Sequence, residues 1–297
     1  MILVTGANGH LGRAIVNSLL IKGVNAHEIT GLVREEAKAP DLKEKGITLS
    51  VGDYDWYPTL VKAFKGVEKL VLVSGRDLTA RIEQHDNVVT AAQEAGVKHL
   101  IYTSFFDGNK IKNSPFDFVS SSVKATDVTI RESGIPYTLF KNNLYAELLP
   151  TLFGQSVLQT GIYLPAGDGK AAYVTRADIA EAIANVVLQE GHLNKEYNIS
   201  NTENTALPEI ADFLSAQAGV NIRYTSPAKA DYIATMEKNG LPLQFIRIFS
   251  AISEAIKSGE FQSSSTDLEM LLGRKPQSTT EFLKQTYFNQ VTVIQKS

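Results

Sequence analysis

Residues 1–12 read MILVTGANGHLG, and this stretch decides the fold of the chain. The apolar run Ile2-Leu3-Val4 leads straight into a glycine-containing turn, and the apolar residues after the turn recur with helical spacing. Strand, turn and helix in this order predict the first unit of a Rossmann-like sheet. Such a unit binds the phosphates of a dinucleotide at the N-terminus of its helix, where free N–H groups and the helix dipole favour negative charge.

The glycines of this turn are spaced Gly-x-x-Gly-x-x-Gly, not Gly-x-Gly-x-x-Gly as in the common dehydrogenases. Gly6 permits a tight turn, Gly9 leaves room for a pyrophosphate, and Gly12 lets the helix pack close to the strand. The spacing resembles that of the short-chain dehydrogenase/reductase superfamily, in its extended and atypical members.

The composition of the 297-residue chain is that of a globular protein, with 43% hydrophobic residues and a formal net charge of −3. Because the sequence has no run of Lys and Arg, nothing in its charge pattern indicates binding to nucleic acid or to an anionic membrane surface. The absence of cysteine excludes thiolate catalysis, and no His, Asp or Glu cluster has the spacing of a metal site. No apolar stretch reaches the roughly 18 residues of a membrane span, and the first strand leaves no room for a leader, so we expect a cytoplasmic protein.

Strand and helix patterns alternate through the first half of the chain, which predicts an α/β fold with a Rossmann-like, doubly wound parallel sheet. We expect residues 1–150 to form the dinucleotide-binding core, with 176–200 returning to it. Residues 151–175 and 201–297 are expected to form a small, mostly helical substrate lobe. The strand-like runs of the core are 2–5, 29–33, 47–51, 70–74, 100–103 and 137–140.

The residue after the second strand indicates which nicotinamide cofactor is bound. NAD enzymes usually place Asp or Glu there to bind the ribose hydroxyls, whereas this chain has Arg34. Arginine can bind a 2′-phosphate through paired hydrogen bonds, and Lys38 adds a second positive charge. Glu35 and Glu36 argue against a bound 2′-phosphate, since they lie about 20 residues past the glycines. They do not if they occupy the first turn of the next helix, where their charge suits the helix dipole. We therefore expect NADP(H) rather than NAD(H), with a solvated surface role for Arg34 as the alternative.

The usual catalytic pair of that superfamily is missing. Its reductases and epimerases carry Tyr-x-x-x-Lys on the helix after the fifth strand, where the phenol acts as general acid or base. That helix reads FVSSSVKAT over 118–126 here, so Lys124 stands without a tyrosine, although Thr103 or Ser104 could supply the accompanying hydroxyl. Tyr137 and Lys141 have the spacing, but their pattern predicts a buried strand. A substrate that accepts hydride readily, such as a quinone, needs no acid from the protein.

Together these features resemble the NmrA-like, atypical branch of the superfamily, and within it the bacterial NAD(P)H:quinone oxidoreductases of type 2. The resemblance covers most of the chain and thins after about residue 205. The segments that carry it are TGANGHLG (5–12), GLVR (31–34), QHDNV (84–88), AGVK (95–98), IYTS (101–104), SGIPYTL (133–139), AGDGK (166–170) and TRADIA (175–180). The quinone reductases differ in having Arg where this chain has Lys141, and an acidic, histidine-containing segment in place of 120–124.

The resemblance implies where ligands would lie. Asn142 or Asn143, with Tyr145, would form the floor on which a flat substrate stacks. Phe105, with Phe106, either lines that pocket or fills the core. The cofactor would meet Gly6, Asn8, Gly9, His10, Leu11 and Arg34 at its phosphates, Asp53 at adenine, Ser74 and Gly75 at the ribose, and Thr103 and Ser104 at the nicotinamide.

Two further patterns have structural interpretations. We expect His85 to cap or pack at the start of the helix after the fourth strand. Asp168 and Asp178 are expected to be a turn residue and a helix N-cap residue, respectively.

The sequence therefore predicts an NADP(H)-dependent oxidoreductase that passes hydride to a quinone or a similar small electrophile. An NADP(H)-binding redox sensor of the NmrA type, with a protein partner and no turnover, is the first alternative, since it too would lack the tyrosine. A nucleoside-diphosphate-sugar epimerase is the second, but it would need a tyrosine between 120 and 124.

Overall fold

A seven-stranded parallel sheet organises the computed structural model, which describes residues 1–106, 108 and 114–289. The strands, including four short ones outside this sheet, are β1 (Ile2–Val4), β2 (Ile29–Val33), β3 (Thr48–Val51), β4 (Lys69–Leu72), β5 (His99–Phe105), β6 (Tyr137–Asn142), β7 (Ile162–Tyr163), β8 (Lys170–Ala171), β9 (Lys195–Ile199), β10 (Thr205–Ala206) and β11 (Tyr224–Thr225). The helices are α1 (His10–Ile21), α2 (Pro40–Glu44), α3 (Tyr57–Ala63), α4 (Arg81–Glu94), α5 (Asp117–Glu132), α6 (Leu149–Phe153), α7 (Val157–Thr160), α8 (Arg176–Leu188), α9 (Leu207–Ala218), α10 (Lys229–Lys238), α11 (Leu243–Lys257), α12 (Asp267–Leu272) and α13 (Thr279–Tyr287).

The strand order across the sheet is β3-β2-β1-β4-β5-β6-β9, which confirms the predicted Rossmann-like fold. Val4 at the end of β1 pairs with Gly31 of β2 on one side and Val71 of β4 on the other. The direction of winding reverses between β1 and β4, and ligands of such sheets bind in the crevice at this point, beyond the carboxyl ends of the strands.

Two apolar clusters cover the two faces of the sheet. On one face α1, α8 and α12 pack around Val4, Val71 and Ile101. On the other face α3, α4 and α5 pack around Leu3, Leu72 and Leu100. Neighbouring strand residues therefore serve opposite faces, and both faces are apolar because helices cover each of them.

A third apolar cluster begins where β5 and β6 end, because it includes Leu144 and contacts Phe105. It is formed by α6, α9, α11 and the segments around Tyr173 and Phe261. Helix α12 does not belong to this cluster, although the sequence placed all of 201–297 in one lobe. Its residues Leu268, Leu271 and Leu272 pack with the sheet-side cluster of α1 and α8.

The prediction for the start of α8 was wrong. Asp178 does not cap α8: Thr175 does, and its hydroxyl oxygen accepts a hydrogen bond from the Asp178 N–H (3.1 Å). The buried Asp178 carboxylate instead accepts from Arg274 (2.7 Å) and from the Gln277 N–H (2.8 Å). A short 3₁₀ turn over 146–148 leads into α6, which has a proline in its first turn.

Two kinds of feature are absent from the described residues. No helix there is long and apolar enough to cross a membrane. No group of three or more His, Asp or Glu in the same residues is arranged to hold a metal ion.

Candidate functional site

The glycine turn between β1 and α1 lies at the crevice of the sheet and is shaped by close backbone contacts. The Gly9 N–H donates to the Gly6 carbonyl (2.8 Å), and Gly6 has a φ of +56°. A Cβ on Gly12 would lie 2.3 Å from that same Gly6 oxygen, so only glycine fits there. The turn can therefore bring backbone N–H groups close to a ligand without side chains between them.

Helix α1 presents an open N-terminus to this crevice. Gly9 is its N-cap, no side chain in the described part of the chain caps it, and no acidic residue lies in its first turn. His10 is exposed, whereas the Leu11 side chain is buried in the core, so Leu11 can offer a ligand only its backbone. These free N–H groups suit a pyrophosphate.

The segment after β2 carries the residues predicted to select the cofactor. Arg34 is exposed and forms no ion pair with any residue that the structure describes. Lys38 ends a short 3₁₀ helix, and its ammonium lies 2.7 Å from the Glu35 carboxylate, so its charge is partly offset. Glu36 lies 3.9 Å from Lys43. Arg34 is thus the cation of this segment that remains available to an anionic ligand.

The loop after β3 is tied to the ends of β1 and β4. Asp53 is half-buried, and its carboxylate accepts from the Asp55 N–H (3.2 Å). The Tyr54 hydroxyl lies 2.5 Å from the Thr5 hydroxyl and 3.0 Å from the Val73 carbonyl oxygen. Burial raises the pKa of Tyr54, so its phenol stays protonated. This network fixes the side of the crevice on which Asp53 lies.

The backbone of Gly75, just beyond β4, is held from two sides by α4. Its N–H donates to Nε2 of His85 (3.0 Å), and its carbonyl accepts from Nε of Arg81 (2.9 Å). Since Nε2 accepts, the ring proton is on Nδ1, which donates to the Thr126 hydroxyl (2.9 Å). Burial, with the charge of Arg81, lowers the pKa of His85 to about 3, so the ring is neutral at physiological pH.

His85 lies in the second turn of α4, and the predicted position at the helix start was wrong. The helix begins four residues earlier, at Arg81. Arg81 is buried and also donates to the Val119 carbonyl (3.3 Å) and the Ser122 hydroxyl (3.1 Å) of α5. The first turn of α4 is polar in sequence, so apolar periodicity does not reveal it, and buried hydrogen bonds hold it in place.

Thr103 and Ser104, at the end of β5, are the two candidates for a hydroxyl that contacts the substrate, and their hydrogen bonds differ. The Thr103 hydroxyl oxygen accepts from the Ser74 N–H (2.8 Å) and so fixes the neighbouring strand end. The Ser104 hydroxyl is buried and has no hydrogen-bond partner among the described residues. Ser104 shares its face of the strand with Tyr102, which packs with the cluster of α4 and α5. Ser104 is thus the hydroxyl left for a ligand.

The two asparagines at the end of β6 also differ in their hydrogen bonds. The Asn143 amide donates to the Ser200 hydroxyl (3.2 Å) and the Phe261 carbonyl (3.1 Å), and its oxygen accepts from the Leu144 N–H (2.7 Å). The Asn142 amide donates to the Tyr145 hydroxyl (3.3 Å), while its Oδ1 is buried without a described partner. Asn143 therefore joins segments of the protein, and Asn142 retains an acceptor.

The guanidinium of Arg176 lies over the Tyr145 ring, and the sequence did not predict this contact. The guanidinium carbon of Arg176 is 4.9 Å from the centre of the Tyr145 ring. Glu147 orients this arginine, because its carboxylate accepts from the Arg176 N–H (2.8 Å) and lies 3.7 Å from its guanidinium. Burial raises the pKa of Tyr145, with Arg176 opposing the shift. Its phenol is therefore a neutral hydrogen-bonding group and not a base.

Phe105 is part of an aromatic group at the same edge. Its ring centre lies 5.2 Å from that of Phe116 and 6.0 Å from that of Phe261, while Phe116 and Phe261 are 5.7 Å apart. Phe105 is half-buried and Phe106 is buried. Phe105 thus keeps some surface for a ligand, and Phe106 fills the core.

Neither lysine of the two candidate pairs has a tyrosine partner in a catalytic arrangement. On α5, the position four residues before Lys124 is occupied by the buried Ser120. Tyr137 and Lys141 lie on β6, as predicted, and the Lys141 ammonium is 2.8 Å from the Glu196 carboxylate of β9. Arg131 binds the same carboxylate, and these cations lower the pKa of Glu196 to about 2. The pair therefore belongs to a structural ion-pair network.

Most of the predicted site residues follow the carboxyl ends of adjacent strands and so lie along one edge of the sheet. Three of the predicted side chains, those of Leu11, Thr103 and Asn143, are engaged within the protein. Arg81 and Arg176 were missed because a lone arginine on a helix has no sequence signature.

A model of the NmrA-like family matches residues 1–283 of the chain. The protein named Quinone oxidoreductase 2 of Escherichia coli (strain K12) is 35% identical over 282 residues, which span 95% of this chain and 96% of that protein. The family model covers every element that forms the candidate site.

Two crystal structures are similar to this fold over nearly its whole length. One is an NADPH-dependent quinone oxidoreductase from E. coli complexed with NADPH, with a TM-score of 0.90, 33% identity and coverage of 97% of this chain and 100% of that one. The other is a triphenylmethane reductase from Citrobacter sp. complexed with NADP(H), with a TM-score of 0.89, 36% identity and coverage of 96% and 99%. The chain is thus similar to reductases that were crystallised with a phosphorylated nicotinamide cofactor.

Proposed function

This chain belongs to the NmrA-like family, and we propose that it is an NADPH-dependent oxidoreductase that reduces a quinone or a similarly flat electrophile. The relatives with similar folds include a quinone oxidoreductase and a triphenylmethane reductase. The proposal extends that chemistry to this chain on the basis of its own site residues.

The residues of the crevice fit NADP(H). Gly9 places no side chain at the open N-terminus of α1, and Gly12 is required for that helix to pack against the turn. Arg34 is exposed and available to a 2′-phosphate. When bound, the cofactor supplies a hydride from its nicotinamide ring.

The observation that carries the proposal is the residue set around the nicotinamide side of the crevice. Within the described residues, α5 has Ser120 where a catalytic tyrosine would stand before Lys124, and the remaining groups, Ser104, Asn142 and Tyr145, are neutral. Such groups can orient a carbonyl by hydrogen bonds but do not deliver a proton easily. An acceptor that takes hydride and then a proton from water matches this set.

The arrangement of these groups favours a flat acceptor. Phe105 offers part of an aromatic surface, and the Tyr145 ring lies beside Asn142, whose buried oxygen has no described partner and can accept a hydrogen bond from a ligand. Holding donor and acceptor in contact supplies most of the rate acceleration when no acid is needed. The protein's part is therefore to bind, to orient and to exclude water.

Consumption of NADPH by the purified protein against a panel of simple quinones tests the proposal, with Ser104→Ala as the variant and Ser120→Ala as a matched control. We expect saturable turnover that falls about tenfold in Ser104→Ala, because one hydrogen bond to the acceptor is lost, and that changes little in Ser120→Ala. Tight NADPH binding without turnover on any acceptor would overturn the proposal and favour the redox-sensor alternative.

A further inference from the structure

We infer that Arg13 sets the preference for NADP(H) over NAD(H) by holding the segment that carries Arg34 in place beside the glycine turn. This inference rests on the proposed function only in placing a dinucleotide in the crevice. It assigns a role in selectivity to a residue outside the glycine pattern, one helical position after Gly12.

The guanidinium of Arg13 joins three separate segments. Its Nε donates to the Asn8 carbonyl of the glycine turn (3.0 Å), and one terminal nitrogen donates to the Lys38 carbonyl (3.0 Å). The other terminal nitrogen lies 2.6 Å from the Asp41 carboxylate of α2. One side chain therefore spans from the phosphate-binding turn to both ends of the short segment between Lys38 and α2.

The planar fork of arginine is what makes these contacts simultaneous. Its N–H groups point in fixed directions within one plane, whereas a lysine ammonium is a single point at the end of a flexible chain. A lysine at position 13 could satisfy one of the three acceptors and would leave the others to water. The three contacts therefore depend on the shape of the arginine side chain and not on its charge alone.

The charge of Arg13 is already matched within the protein. Asp41 lies against its guanidinium, and Glu35 offsets Lys38 in the same way. Among residues 34–41, Arg34 is the cation with no acidic partner in the described structure. Recognition of a 2′-phosphate therefore falls to Arg34, and Arg13 determines where the backbone of Arg34 lies relative to the open end of α1.

This geometry predicts an effect on one cofactor and not on the other. NADPH carries the 2′-phosphate that Arg34 would bind, whereas NADH lacks it and depends on the glycine turn and the rest of the crevice. Because charge-assisted hydrogen bonds depend steeply on distance and direction, a displaced Arg34 weakens NADPH binding selectively.

Calorimetric titration of the full-length protein with NADPH and with NADH tests the inference without turnover. We expect Arg13→Met and Arg13→Lys each to weaken NADPH binding about tenfold and to change NADH binding less than about twofold. Lys45→Met is the matched control, because it removes a cation and a hydrogen bond to Asn17 of α1 but none of the three contacts of Arg13, and its cofactor ratio should stay close to that of the wild type. Thermal unfolding of each variant verifies that it is folded.

A double-mutant cycle with Arg34→Ala shows whether Arg13 acts through Arg34. If it does, Arg13→Met in the Arg34→Ala background causes almost no further loss of NADPH affinity. Additive losses, a normal ratio in Arg13→Lys, or equal losses for both cofactors would each overturn the inference. If the variants show the expected cofactor ratios but the protein reduces no acceptor, the role of Arg13 is supported and the proposed reaction is overturned. If the wild type binds NADPH and NADH with equal affinity, both the role of Arg13 and the assignment of NADP(H) are overturned.

Discussion

Individual side chains in this site act mainly by holding backbone groups. His85 accepts from the Gly75 N–H and Arg81 donates to the Gly75 carbonyl, so both polar groups of one glycine are fixed from α4. Thr103 fixes the Ser74 N–H in the same manner. The strand ends that would meet a ribose are thus set by buried polar residues whose own side chains are not free for a ligand.

The bond from Gly75 to His85 predicts different effects of two similar substitutions. In His85→Gln the amide oxygen can reach the position of Nε2, whereas the shorter side chain of His85→Asn cannot. We expect His85→Asn to weaken NADPH binding about tenfold, because a buried N–H is left unpaired, and His85→Gln to remain within about threefold of the wild type. Quenching of Trp56, the single tryptophan, measures both affinities. Equal losses in the two variants would contradict a positioning role for this bond.

His85 also predicts how stability depends on pH. Its pKa is about 3 in the folded protein against 6.5 for an unperturbed histidine, so the unfolded chain binds the proton more readily. The stability contributed by the neutral ring is therefore complete above pH 6.5 and is lost as the pH falls toward 3. His99, with a pKa lowered to about 4 by burial, acts in the same direction.

Comparison with His85→Gln isolates the contribution of this residue, because His99 is present in both proteins. Between about pH 7.5 and pH 5, the wild type should lose about 2 kcal/mol more unfolding free energy than the variant. Urea unfolding at the two pH values gives the difference. Parallel losses in both proteins would show that His85 is not neutral in the fold.

At the scale of elements, adjacent residues at a strand end divide into ligand-facing and structural roles. At the end of β6 Asn143 satisfies three buried groups, whereas Asn142 contacts the Tyr145 hydroxyl and keeps a free oxygen. At the end of β5 Thr103 and Ser104 divide in the same way. Strand alternation sends neighbours to opposite faces, so the two members of each pair meet different surroundings.

This division predicts opposite phenotypes for the two asparagines. Asn143→Ala should lower the free energy of unfolding by about 1–3 kcal/mol, since it leaves buried partners unpaired. Asn142→Ala should cost less than about 1 kcal/mol of stability but lower kcat/KM for the acceptor about tenfold. Urea unfolding and quinone kinetics on the two variants give the comparison. A stable Asn143→Ala with impaired kinetics would reverse the assignment.

The sequence predicted which strand ends lie together at the candidate site but not which of two neighbouring residues has its side chain engaged within the protein. The β–α alternation and the glycine turn place these residues at one edge, because parallel strands end on the same side. The choice between Thr103 and Ser104 depends on the Ser74 N–H, 29 residues away in the chain. Such long-range hydrogen bonds leave no periodic signal, which is also why Arg13, Arg81 and the start of α4 were missed.

At the scale of the whole molecule, the sheet was predictable and the region beyond it was less so. Each strand of the sheet interior is apolar on both faces because helices cover both, which gives continuous runs of Val, Ile and Leu. Strands β7, β8, β10 and β11 have two residues each, too few for a pattern. Helix α12 packs on α8 and β9 through three leucines whose spacing does not reveal which cluster they join.

The two parts of the molecule meet at the edge where the site lies. The Phe105, Phe116 and Phe261 rings connect the end of β5 to α5 and to the segment after α11. A ligand over this edge would thus lie between the seven-stranded sheet and the third apolar cluster, which can exclude water from it.

The most direct test of the proposed function is a single turnover in the absence of oxygen. Protein loaded with NADPH deuterated at the transferable position of the nicotinamide is mixed with excess quinone, and nicotinamide absorbance is followed. Direct hydride transfer predicts that one NADPH is consumed per site, and that the consumption is slower with the deuterated cofactor than with the unlabelled one. Bound NADPH that persists in the presence of every quinone tried would contradict it and make the protein a cofactor-binding sensor.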